Sequence, residues 1–88
     1  MRVGGKVALI SGGAGGIGAA TADLLAKEGA AVVIGDLLEE QGRNVESSIN
    51  HSGGRALFIN LDVTDEGSWN NAVAAAVANF GKLDILVN

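Results

Sequence analysis

Eighty-eight residues, 48% of them hydrophobic and 18% charged, form at most one small domain, and a chain of this size buries only about two-thirds of its unfolded surface, which leaves little margin for independent stability. That composition excludes a disordered chain, and with two Phe, one Trp and no Tyr the core must be aliphatic. A net charge of −4 without a Lys or Arg cluster argues against nucleic acid as a partner, the lack of Cys removes disulfides and thiolate metal sites, and no apolar run approaches a membrane span.

Met1 to Lys6 contains neither a long apolar region nor a small-residue cleavage site, so no signal peptide is expected and a cytoplasmic location follows. Val7 to Ile10 is a continuous apolar run, the mark of a strand covered on both faces in a parallel sheet. From Gly16 a helix is expected, with Ile17, Ala20, Leu24 and Leu25 on its apolar stripe and Gly29 as its C′ residue. Ala30 to Asp36 reads as a second buried strand. Leu37 to about Ile49 reads as an amphipathic helix weakened by Gly42, and Asn50 to Gly54 as a loop. Arg55 to Val63 supplies a third strand. Thr64 or Asp65 can cap a helix running to Phe80, whose apolar side holds Ala72, Val73, Ala76, Val77 and Phe80, before Gly81 ends it. Leu83 to Asn88 is a fourth strand.

Strands alternating with helices over short connections predict right-handed crossovers in a parallel sheet, ordered 3-2-1-4 in a nucleotide-binding half, with a crevice between strands one and four. The carboxyl ends of the strands then gather the glycine loop, Asp36, Asp62-Val63 and Asn88 along one edge.

The glycine loop organises the chain. Gly13, Gly15 and Gly18 satisfy G-x-G-x-x-G, while Ser11 with Gly12, Gly16 and Gly18 satisfies a hydroxyl residue followed by G-x-x-x-G-x-G. Placed between a strand and a helix, such a loop offers unpaired N–H groups and the positive end of a helix dipole to a phosphate, with no Cβ in the way. Ser11, Gly12, Gly15, Gly16, Ile17 and Gly18 are therefore candidate cofactor-binding residues.

Asp36 ends strand two where an adenosine ribose would lie, and its carboxylate can accept hydrogen bonds from both hydroxyls. No Lys or Arg occurs between Ser11 and Gly18, and Leu37 follows Asp36 where a basic residue could have paired a 2′-phosphate. NAD is expected over NADP. Asp62 and Val63 end strand three in the same crevice, where a carboxylate could bond the adenine amino group and an apolar side chain could line the ring; an Asp before Val-Thr-Asp could equally organise a turn. Asn88 could finish a strand or touch the ribose. His51 reads as a solvated loop residue and Trp69 as a helix residue packing on the sheet. There is no metal-ligand cluster, and neither a general base nor a nucleophile stands out.

With these residues in place, the chain resembles the N-terminal, cofactor-binding half of a classical short-chain dehydrogenase/reductase. Lys6 to Gly18 is similar to the family's T-G-x-x-x-G-x-G loop, with Ser11 in place of the usual Thr. Asp36 matches its NAD-selecting acidic position, Leu61-Asp62-Val63-Thr64 its adenine-contacting D-V segment, and Asp84-Ile85-Leu86-Val87-Asn88 the strand leading into its N-N-A-G motif. The resemblance implies a Rossmann-type doubly wound α/β sheet, with residues 1–88 as the first part of a single NAD(P)-binding domain whose remainder lies outside this chain. It implies hydride transfer between NAD and a small secondary alcohol or carbonyl substrate. A catalytic Ser and a Tyr-x-x-x-Lys pair are implied beyond Asn88, as is a homo-oligomer, commonly a tetramer. A non-catalytic dinucleotide-binding module would use the same residues, since fold does not fix function, and the presence of Tyr-x-x-x-Lys downstream separates the two. A flavodoxin-like phosphate site is disfavoured by Asp36.

Overall fold

The structure is a computed structural model that describes residues 4–88, so the reading of Met1 to Val3 lies outside the described residues. Strand β1 (Val7–Ser11) leads to helix α1 (Gly16–Lys27), β2 (Ala31–Asp36), α2 (Glu39–His51), β3 (Arg55–Asn60), α3 (Glu66–Phe80) and β4 (Ile85–Val87). The strands are all parallel in the order β3-β2-β1-β4. This is the expected Rossmann-like α/β arrangement.

The central pair carries the core because its side chains are apolar on both faces. Ala8, Ile10, Val32 and Ile34 point to one side, against Ala22 and Leu25 of α1 and Ile49 of α2; Val7, Leu9, Ala31 and Val33 point to the other, against Ala72 and Ala76 of α3 and against Leu61. Two helices thus cover one face and one helix the other. Asp84 ties the amino ends of β1 and β4 together, its carboxylate accepting the Val7 N–H at 2.9 Å and pairing with Lys82 at 3.2 Å. The Val7 bond, more than the lysine, holds its carboxyl below the usual carboxylate range.

Several sequence expectations need correction. On α1 the buried residues are Ala22 and Leu25, whereas Ile17 and Leu24 are 86% and 56% exposed and Ala20 is exposed. Val73 and Val77 of α3 likewise face outward, while Ala72 and Ala76, expected on the same side, do make the contact with the sheet. Small side chains line both interfaces, so the helices lie close to the strands. β3 ends at Asn60, which leaves Leu61 to Val63 in a connecting turn, and β4 is confined to Ile85–Val87. His51 is the last residue of α2, exposed as expected. Asp65, not Thr64, caps α3 through the Gly67 N–H.

Gly42 is also more than a weak point in α2. It is buried, and a Cβ there would run into the Phe58 ring of β3, which Arg43 covers with its guanidinium 5.2 Å from the ring centroid. We expect Gly42→Ala to destabilise the protein by about 1–3 kcal/mol through overpacking, against the gain of up to about 1 kcal/mol that alanine brings to an exposed helix. Denaturant unfolding of the two proteins measures the net sign, and a stabilised variant would contradict this packing.

Part of the outer border of β3 is covered by α2. The Asn50 side chain accepts the Ala56 N–H at 2.8 Å and donates to the Ala56 carbonyl at 3.0 Å, and the Glu46 carboxylate accepts the Phe58 N–H. These are the groups an edge strand would otherwise offer to another chain.

Candidate functional site

The loop after β1 is held by the end of β2. The N–H groups of Gly12 and Gly13 both donate to the Gly35 carbonyl, at 2.8 and 3.3 Å. Gly12 has φ +72°, a left-handed conformation that L side chains rarely adopt, while Gly13 packs against Ile34 and Ile10. Gly18, in the first turn of α1, lies so close to the loop that a Cβ would collide with the Gly12 carbonyl. These contacts fold the loop back over the start of α1. Around Gly12, Gly15 and Gly16 an added Cβ would meet nothing within 4 Å, so these positions face open space.

The amino end of α1 suits an anion. Its N-cap, Gly15, provides no side-chain hydrogen bond, and its first turn contains no acidic residue. α2 and α3 both begin with acids, Glu39 and Glu40 in one and Glu66 in the other, and α3 has the Asp65 cap as well. The first-turn N–H groups of α1, which no intrahelical carbonyl can satisfy, are therefore left for a ligand. A cradle that a side chain would fill, joined to an uncapped helix start, fits a dinucleotide pyrophosphate.

Asp36 stands beside this loop, with Oδ2 accepting the Ala14 N–H at 3.1 Å and Oδ1 accepting the Leu38 N–H at 3.0 Å. The carboxylate thus braces the glycine loop as well as ending β2. Leu37, 60% exposed, opens to solvent next to it.

Asp62 and Val63 follow β3 on the same edge. Asp62 does organise a turn: its Oδ1 accepts the Thr64 hydroxyl at 2.6 Å and the Thr64 N–H at 2.9 Å, and its carbonyl accepts the Asp65 N–H at 3.0 Å. The hydroxyl bond first, then the N–H, holds its carboxyl below the usual range. Val63 is exposed. On the far side of β1, the Ser11 hydroxyl lies 3.3 Å from the Val87 carbonyl and 3.4 Å from Asn88 Oδ1, linking the carboxyl ends of β1 and β4.

Trp69 packs against the α3-side core, as its helical position predicts, but its indole Nε1 also donates to the Val63 carbonyl at 2.9 Å. A depression of about 230 Å³ between α1 and α2, lined by Asp23, Lys27, Ile49 and Gly53 among others, lies near the carboxyl ends of those helices. That is the amino edge of the sheet, away from the edge on which such folds bind ligands.

Comparison with known proteins agrees with this geometry. The short chain dehydrogenase family model matches residues 6–88. The chain belongs to the short-chain dehydrogenase/reductase family, whose dehydrogenases are oxidoreductases that use a nicotinamide dinucleotide. It is 62% identical over 87 residues to the 2,5-dichloro-2,5-cyclohexadiene-1,4-diol dehydrogenase LinX of Sphingobium indicum, covering 99% of this chain and 35% of that protein. It is 58% identical over 93 aligned residues to trans-4-hydroxycyclohexanecarboxylate dehydrogenase of Sinomonas cyclohexanicum, covering 99% of this chain and 36% of that protein. The crystal structure of a hydroxysteroid dehydrogenase from Escherichia coli superposes with a TM-score of 0.95 at 37% identity, over 99% of this chain and 37% of that one. The chain thus spans about a third of the length of the relatives it matches.

Proposed function

We propose that this chain is the N-terminal, cofactor-holding part of an NAD-dependent dehydrogenase of cyclic secondary alcohols. The observation that carries the reading is Asp36, a carboxylate hydrogen-bonded to the glycine loop at the end of β2 with Leu37, not a cation, beside it. A ribose diol gains acceptors there, and a 2′-phosphate meets like charge. The substrate class follows from relatives named for a cyclohexadienediol, a hydroxycyclohexanecarboxylate and cyclopentanol.

In this reading the glycine loop and the α1 amino end hold the pyrophosphate, and Ile17, 86% exposed beside them, shields it from water. Asp36 and Leu37 receive the adenosine ribose, Asp62 and Val63 the adenine, and Ser11 with Asn88 fixes the strand ends that face the nicotinamide half. Bound NAD supplies the hydride acceptor. Residues 1–88 orient it but offer no Tyr or Cys to exchange a proton with an alcohol, so proton transfer belongs to the remainder of the domain.

The test is NAD reduction by the full-length protein with cyclohexanol, cyclopentanol and their substituted derivatives, against the same panel with NADP. Turnover with NAD on several of them is expected. No turnover on any ring alcohol would refute the substrate class, a preference for NADP the cofactor, and turnover by residues 1–88 alone the division of labour.

A further inference from the structure

Nearly every polar group of the Asp62-Val63 dipeptide is already bonded within the chain. The Asp62 N–H donates to Ser68 Oγ at 2.8 Å, its carbonyl accepts from Asp65, Oδ1 accepts twice from Thr64, and the Val63 carbonyl accepts from Trp69 Nε1. Among the described residues this leaves two groups without an internal bond, Asp62 Oδ2 and the Val63 N–H. One is an acceptor and the other a donor, on neighbouring residues at the ligand-binding edge of the sheet. Polar groups left in this way call for a partner from solvent or ligand.

Two side chains from the first turn of α3 impose this selection. Ser68 takes the Asp62 N–H and Trp69 takes the Val63 carbonyl, so neither can compete for a base. Both are anchored, since α3 is capped by Asp65 and Trp69 packs against the α3-side core to which buried Leu61 belongs. Rigid second contacts of this kind set the precision of a site.

We propose that Ser68 and Trp69 are positioning residues that set the base selectivity of the crevice, by holding Asp62 Oδ2 and the Val63 N–H as an acceptor–donor pair complementary to adenine. The inference rests on the reading of the crevice as a dinucleotide site. Adenine presents its N6 amino group as donor with N1 beside it as acceptor. Hypoxanthine reverses both, with a carbonyl oxygen at position 6 and a proton on N1. It would set oxygen against the Asp62 carboxylate and N–H against the Val63 N–H.

The experiment measures KM and kcat of the full-length protein with NAD and with nicotinamide hypoxanthine dinucleotide, in wild type and in Trp69→Phe, Ser68→Ala and Ser68→Thr. Wild type should prefer NAD. Trp69→Phe keeps an aromatic ring and removes the donor, and Ser68→Ala removes the acceptor; each should cut the preference about three- to tenfold, the range carried by one neutral hydrogen bond, through KM for NAD and not through kcat. Ser68→Thr retains the hydroxyl and should retain the preference. A merely structural role would weaken both cofactors together and leave their ratio at the wild-type value, and that result in Trp69→Phe and Ser68→Ala overturns the proposal while leaving the dinucleotide site intact. A wild type indifferent to the base would remove the adenine reading of Asp62-Val63 itself.

Discussion

Gly18→Val in the full-length protein is expected to abolish NAD binding while leaving the sheet folded. A Cβ at this position collides with the carbonyl of Gly12 and lies 3.0 Å from the Gly13 Cα. Both are backbone atoms of the loop itself, so no rotamer change relieves the clash. Either the loop opens or α1 withdraws from β1, and each destroys the alignment of N–H groups at the helix start. Gly12→Val acts differently, because the space around Gly12 is open and the obstacle is its φ of +72°. A β-branched residue held there costs about 1–3 kcal/mol and projects into the crevice. Calorimetric titration should show no binding for Gly18→Val, or an affinity reduced by more than about a hundredfold, with a circular dichroism spectrum like wild type. An affinity unchanged in both variants would remove the phosphate loop from the glycine segment.

If the protein prefers NAD as proposed, Asp36→Ser should narrow that preference over NADP from both directions. A hydrogen bond to a charged group contributes on the order of 1.5–3 kcal/mol, roughly ten- to a hundredfold in affinity, and serine forfeits most of this with the ribose. With NADP, the same change removes the repulsion between a carboxylate and a 2′-phosphate carrying about −1.5 to −2 charges. Asp36 Oδ2 also accepts the Ala14 N–H, so the variant loosens the glycine loop and lowers affinity for both cofactors. The informative quantity is therefore the ratio of kcat/KM values, not either value alone. Adding Arg at Leu37 should move the ratio further by pairing the phosphate. A wild-type preference for NADP, or a ratio that Asp36→Ser leaves unmoved, would mean that Asp36 does not face the ribose.

The strands were legible because β1 and β2 are buried on both faces, and a short, continuous apolar run between turn residues suits a strand covered by helices on each side. Their order followed from the alternation of elements. The helix faces were legible only in part: Leu25, Ala72 and Ala76 lie inside as their spacing predicts, but hydrophobicity also assigned Ile17, Leu24, Val73 and Val77 to those faces, and all four are exposed. Close approach of helix to sheet selects by size, and it places Ala22, Ala72 and Ala76 inside. Gly42 was misread for the same reason, as helix propensity describes an exposed helix and not one pressed on Phe58. At Asp62 the turn and the ligand role looked exclusive from spacing; the two carboxylate oxygens can serve one each, a distinction that needs coordinates. The Trp69 indole bond to Val63 depends on how the turn after β3 doubles back, which no periodicity encodes.

The clasp of Asn50 and Glu46 on β3 gives the sheet a direction of growth. A parallel sheet with two free rims could accept a new strand at either, and a newly made chain would then have two places to pair. Here one rim is occupied by a helix from the same βαβ unit, and among the described residues β4 pairs on one side only. A strand added to this sheet would therefore join beyond β4, on the side away from β1, so that the feature that blocks pairing at one rim also steers assembly toward the other.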